Sequence, residues 1–213
     1  MSDPAIIAEA RELITRGECG LAVERLMAAV PHLSAEFRRK AYSYAGLACY
    51  FDERFADAVG MFQAAARESD VPEDWFNMAM AQAKVGDLPG ARASWQQVFD
   101  LSYAHQDAPE SSSFFEKKLL FARELLLAGG ADELGLDLLE RQLMGFFTSN
   151  RITDTQFWAS RGVPAFEEVL ALTREYYRAL GRSAAEWAAS CDRVAAAVDE
   201  SGRDYCARLR EDY

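Results

Sequence analysis

The chain is predicted to be all-α, built from consecutive helix hairpins, and three observations carry that prediction. β-Branched residues are few and no period-two alternation persists, while alanine, leucine, glutamate and arginine dominate. Breakers cut the chain at regular intervals: Gly17, Pro31, Asp52-Glu53, Pro72, Gly86-Asp87, AHQDAPESSS, Gly129-Gly130, Ser149-Asn150, Gly162 to Pro164 and Gly181. Between them lie segments of helix-hairpin length whose apolar and small residues recur at matching positions.

In the first hairpin, Gly17 opens a turn followed by Cys19, Ala22, Leu26 and Ala29. The second repeats the spacing with Glu53, Phe55, Ala58, Phe62 and Ala65, and the third with Gly86, Leu88, Ala91, Trp95 and Val98. Upstream of the turns, Trp75, Met78 and Ala79 align with Tyr42, Ala45 and Gly46, and with Ile6, Glu9 and Ala10. The small residues let paired helices approach closely, and the aromatics fill the joints between hairpins. A lone hairpin cannot bury its apolar face, so such units stack.

This pattern, an aromatic and small pair on one helix, a turn, then A-x3-F at a period near 34, resembles the tetratricopeptide repeat. Residues 3–36, 39–72 and 72–105 match as three tandem repeats, so residues 1–105 form one repeat domain. Glu9 stands where the family has leucine, and Cys49 and Gln82 stand where it has tyrosine. The resemblance implies a right-handed α-solenoid of antiparallel hairpins.

Residues 106–113 then read as a polar loop and 114–147 as a divergent fourth hairpin, with Gly135 available for close helix approach and Arg123 where a small residue is expected. Residues 151–213 read as helices that cap the solenoid or mediate self-association. Pro164 is placed to open a helix whose apolar face is Phe166, Val169, Leu170, Thr173, Tyr177 and Leu180. Ser183 with Glu186 forms a capping box ahead of Ala184, Trp187, Cys191, Val194 and Val198. Ser201-Gly202 is expected to interrupt or bend the last helix. The stripe through Trp187, Cys191 and Val198 offers a route to a homodimer.

The formal charge is −11, with −7 falling on residues 1–110. That field argues against nucleic acid and anionic membrane as partners and favours a basic or apolar protein. No apolar run reaches membrane-spanning length and the N-terminal segment carries acids, so a cytoplasmic location is expected. Cys19, Cys49, Cys191 and Cys206 form no CxxC pair and are expected as buried thiols. His32 and His105 are not spaced for a metal or a catalytic base. No phosphate loop, nucleophile elbow or metal cluster is present, so neither enzymatic activity nor a cofactor is expected.

The repeat resemblance implies instead a concave groove, lined by the first helix of each hairpin, that holds a segment of a partner protein. Its facing positions would be Ile7, Ala8, Arg11 and Ile14, then Lys40, Ser43, Tyr44, Leu47 and Tyr50, then Glu73, Phe76, Asn77, Met80 and Lys84. Ile7 and Glu73 replace the cations or amides of carboxylate-binding family members. The groove is therefore expected to be largely apolar, through Tyr44, Leu47, Tyr50, Phe76 and Met80, with Arg11, Lys40, Asn77 and Lys84 as polar anchors. The acidic charge and apolar groove are also similar to bacterial type III secretion chaperones, which hold an apolar client segment, although residues 106–213 exceed what such a chaperone requires.

Overall fold

The computed structural model describes residues 3–104 and 112–213. Among them every regular element is a helix, and no helix is long and apolar enough to cross a membrane. The chain divides into two compact units, Met1–Asp107 and Ala108–Tyr213.

The N-terminal unit holds α1 (Asp3–Thr15), α2 (Cys19–Ala29), α3 (Ala35–Phe51), α4 (Phe55–Glu68), α5 (Pro72–Lys84) and α6 (Leu88–Ala104), with a 3-10 turn, Val30–His32, between α2 and α3. The helices pack in consecutive pairs, α1 with α2, α3 with α4 and α5 with α6, and α2 also meets α3 as α4 meets α5. All three pairs turn in the same way. Gly17, Glu53 and Gly86 each adopt positive φ, at 77°, 57° and 78°. Their N–H groups donate to Ile14, Tyr50 and Ala83, while the next residues, Glu18, Arg54 and Asp87, donate back to Leu13, Cys49 and Gln82. This double bond pattern satisfies carbonyls that a helix end would leave unpaired. The turn is thus a structural repeat, with glycine at two positions and a glutamate in the left-handed region at the third.

Packing within the pairs follows from the aligned small and large residues. Ala22, Ala58 and Ala91 are fully buried, as are Leu26 and Phe62, and Trp95 is nearly so. A Cβ on Gly46 would lie 2.6 Å from the Phe62 ring, so α3 can approach α4 this closely only with glycine there. Gln82 accepts a hydrogen bond from Ser94 at 2.7 Å, tying α5 to α6.

The C-terminal unit contains α7 (Ser112–Leu127), α8 (Glu133–Asp137), α9 (Gly145–Asn150), α10 (Thr155–Ala159), α11 (Phe166–Ala179), α12 (Ala184–Ala195) and α13 (Glu200–Glu211). Between α8 and α9 the chain stays helical but widens into a π-helical segment, Leu138–Met144. Of the loop read at 106–113, residues up to 111 lie outside the described residues, and Ser112 and Ser113 already belong to α7. The core of this unit gathers Leu139, Leu143, Phe147, Phe166, Leu170, Tyr176 and Trp187, all essentially buried. Burial of each such side chain contributes about 1.5–3 kcal/mol.

Gly135 does permit a close approach, and its neighbour is Tyr176 of α11. That phenol would collide with a Cβ and donates to the Ala122 carbonyl at 2.6 Å. Arg123 pairs with Glu168. Pro164 precedes α11 by two residues, because Ala165 takes the N-cap position. The Ser183–Glu186 capping box forms. Trp187, Cys191 and Val198 are buried inside the unit, whereas Ala184 is exposed. The last break falls earlier than expected, after α12, and Asp199 caps α13 by accepting from the N–H of Gly202. Gly202 lies inside the first turn of α13 because a Cβ there would stand 2.7 Å from Thr153 and Val198 methyl groups.

Candidate functional site

In the N-terminal unit, α1, α3 and α5 together line a concavity of about 540 Å³. Each helix contributes: Ile7, Ala8 and Arg11 from α1, Lys40, Ser43, Tyr44 and Leu47 from α3, and Glu73, Asp74 and Asn77 from α5. Pro4, Phe37, Arg39 and Val71 complete the wall.

Five of the nine expected groove residues therefore meet here: Arg11, Lys40, Tyr44, Leu47 and Asn77. The other four do not. Phe76 and Met80 are 7% and 9% exposed and belong to the packed interior, where the Phe76 ring meets Trp95 edge-to-face at 6.3 Å. Tyr50 packs against Phe55 at 5.2 Å, near the turn into α4. Lys84 is exposed at the end of α5, beyond the concavity. The physical reason is that α5 is buried over most of its circumference, with Met78, Ala79, Ala81 and Ala83 also inaccessible. Little of that helix is left to face a groove.

The floor holds an ion pair that the sequence reading missed. Arg39 Nη1 donates to Asp74 Oδ2 at 2.7 Å, joining α3 to α5 across 35 residues of chain. Asp74 is 1% exposed, and its second oxygen, Oδ1, has no hydrogen-bond partner. Opposite charges at the openings of the second and third repeats were the available signal. Beside this pair, Lys40 bonds Glu36 at 2.6 Å and stands 4.8 Å from the Phe37 ring centre. The hydrogen bond from Lys40, reinforced by its charge, holds the Glu36 carboxyl below its usual range. The Arg11 guanidinium, the Ser43 and Tyr44 hydroxyls and the Asn77 carboxamide make no side-chain hydrogen bond or ion pair among the described residues.

No family model, curated protein or solved structure matches the chain. Its function is therefore argued from its own residues.

The cysteines are free and buried. Burial pushes the Cys191 thiol up to about 11 and Cys206 to about 12, and raises Cys19 and Cys49 as well. All four stay protonated at neutral pH and are poor nucleophiles. His32 is exposed, and His105 lies outside the described residues. Among the described residues no three His, Cys, Asp or Glu side chains are placed to hold a metal ion.

Proposed function

We propose that the N-terminal unit is a tetratricopeptide-type array, a right-handed α-solenoid, that binds a segment of a partner protein in its concavity without catalysis. One observation carries this reading. Side chains from the first helix of each hairpin converge on one depression, where Arg11, Ser43, Tyr44 and Asn77 keep hydrogen-bonding capacity that the fold does not use. Groups left in this state at the mouth of a concavity are suited to the backbone and polar side chains of a bound segment.

The recurrence of the left-handed turn at Gly17, Glu53 and Gly86 supports the repeat assignment. The wall is largely apolar in area, and charged side chains interrupt it. Ile7, Phe37, Tyr44 and Leu47 alternate with Arg11, Lys40 and Glu73, while Phe76 and Met80 are buried. This favours a segment with both apolar and polar side chains over the wholly apolar client of a secretion chaperone. The acidic field of the chain, −11 overall, favours a basic partner at long range.

The test is affinity capture from the native cell with the full chain and with an Arg11→Ala, Tyr44→Ser, Asn77→Ala variant. None of the three side chains is fully buried, so the variant should keep the wild-type helical spectrum, with a lower melting point where Tyr44 no longer packs partly against the N-terminal core. A partner that is retained by the wild type and lost from the folded variant supports the groove. Capture of the same proteins by both removes it.

A further inference from the structure

The C-terminal unit contains a pocket of about 310 Å³, wholly within its own helices, walled by the π-helical segment and α9 on one side and by α11 and α12 on the other. Its polar centre is Glu140, on the π-helical segment. Glu140 Oε1 accepts from the Tyr177 hydroxyl and from the Ser190 hydroxyl, both at 2.6 Å, and Arg193 lies 3.8 Å from the same oxygen. Among the described residues Glu140 Oε2 accepts from no protein donor. Burial, and then the hydrogen bond to Glu140, holds the Tyr177 phenol above its usual value, so it remains a donor at neutral pH.

Tyr177 and Ser190 give their hydroxyl protons to Glu140, Thr148 gives its proton to the Gly145 carbonyl at 3.0 Å, and Thr173 gives its own to Val169 at 2.7 Å. The charged acceptor on the pocket wall is the Glu140 carboxylate. The pocket's charged donors are the exposed guanidinium of Arg193 and that of Arg141, which is held by Asp137 at 3.0 Å. Met144, Leu170 and Val194 supply apolar wall. Gly145 faces open space: a Cβ there would find its nearest protein atom, the Glu140 carbonyl oxygen, 3.9 Å away.

A ligand matched to this arrangement carries N–H donors toward Glu140 and an acid toward Arg193, close together because those two side chains lie 3.8 Å apart, with a short apolar body beside them. We propose that the pocket binds a small zwitterion of the apolar amino-acid class, its ammonium on Glu140 Oε2, its carboxylate at Arg193 and its side chain against Met144, Leu170 and Val194. The volume is at the low end of ligand pockets, about 300–1,000 Å³, which suits a small occupant. π-Helical turns recur at functional sites, and here the widened turn is the element that carries the carboxylate.

The full chain, with its methionine methyl groups labelled, is titrated by NMR with L-leucine, with isoamylamine, which lacks the acid, and with 4-methylvalerate, which lacks the ammonium. Concentrations to ~10 mM cover the millimolar affinity expected of one charge-assisted hydrogen bond and a few buried methylenes. The Met144 methyl resonance should move with leucine, move with several-fold weaker affinity for isoamylamine, and stay fixed with 4-methylvalerate. Glu140→Gln keeps an acceptor oxygen for Tyr177 and Ser190, yet should weaken leucine binding by about tenfold. Gly145→Leu fills the open space and should abolish it without lowering the melting point. A Met144 resonance unmoved by leucine overturns the proposal. So does 4-methylvalerate binding as well as leucine, or leucine binding that survives both substitutions in folded protein.

Discussion

Replacing Gly46 by alanine tests a close helix contact in the N-terminal unit. The added methyl would sit 2.6, 2.7 and 2.9 Å from three carbons of the Phe62 ring, which is fully buried and has no open side to move into. Overpacking of this kind costs about 1–3 kcal/mol, against a helix-propensity gain of about 1 kcal/mol from removing a mid-helix glycine. The net expectation is a loss of up to about 2 kcal/mol. Gly60, in α4, is the internal control: nothing stands within 4 Å of its would-be Cβ, so Gly60→Ala should keep the propensity gain. The two variants change the same atoms in neighbouring helices and should move stability in opposite directions. Urea unfolding of the full chain, followed by helical circular dichroism, separates them. Pairing Gly46→Ala with Phe62→Leu should recover part of the loss by making room. A Gly46→Ala protein as stable as Gly60→Ala would refute the reasoning, because α3 and α4 could not then be in the contact described.

Three further expectations follow from the same physics. Glu53 holds φ at 57°, a region that costs a side-chain-bearing residue about 1–2 kcal/mol, so Glu53→Gly should stabilise the fold by about 0.5–1 kcal/mol after the glycine's larger unfolded-state entropy is counted, read as a higher urea midpoint. Arg39→Ala strands the buried Asp74 carboxylate and should cost about 3 kcal/mol, while Arg39→Ala with Asp74→Ala should cost clearly less than the sum of the single changes in a double-mutant cycle. At Asp199, burial pushes the carboxyl upward but is outweighed by hydrogen bonds from the Thr153 hydroxyl and backbone and from the Gly202 backbone, leaving it below its ordinary value. Stability from such a depressed group is complete above its unfolded value and drains as pH falls through the folded one, so Asp199→Asn should be less stable than wild type near pH ~7 and the difference should shrink toward pH ~3 in parallel urea titrations.

The hairpins were legible because their determinants are local. Gly17, Glu53 and Gly86 mark the turns, Ala22, Ala58 and Ala91 mark the close approaches, and Ser183 with Glu186 marks a helix start that depends on three residues of sequence. The candidate groove was legible only in part. A repeat register assigns Phe76 and Met80 to a wall, but whether a residue faces outward depends on how many neighbours surround its helix, and α5 is nearly enclosed. The Arg39–Asp74 pair depends on contact across two hairpins, which periodicity within one hairpin does not encode. At the C-terminus, Gly202 reads locally as a breaker, yet it is set by the nearness of Thr153 and Val198. The Glu140 cluster joins three helices, and nothing in LLERQLM announces a widened turn.

That widened turn has a consequence for how the chain can change length. A π-helical segment closes its hydrogen bonds one residue later than an α-helix, so it holds an extra residue without breaking the helix. Deleting a single residue within Leu138–Met144 would let the segment relax to α-helical winding, re-aiming the side chains inside it while the helix on either side stays close to its present register. Glu140 would then leave Tyr177 and Ser190, yet the helix itself would survive. A shortened chain of this kind would look intact by its helical content and differ in the one place where the carboxylate is presented.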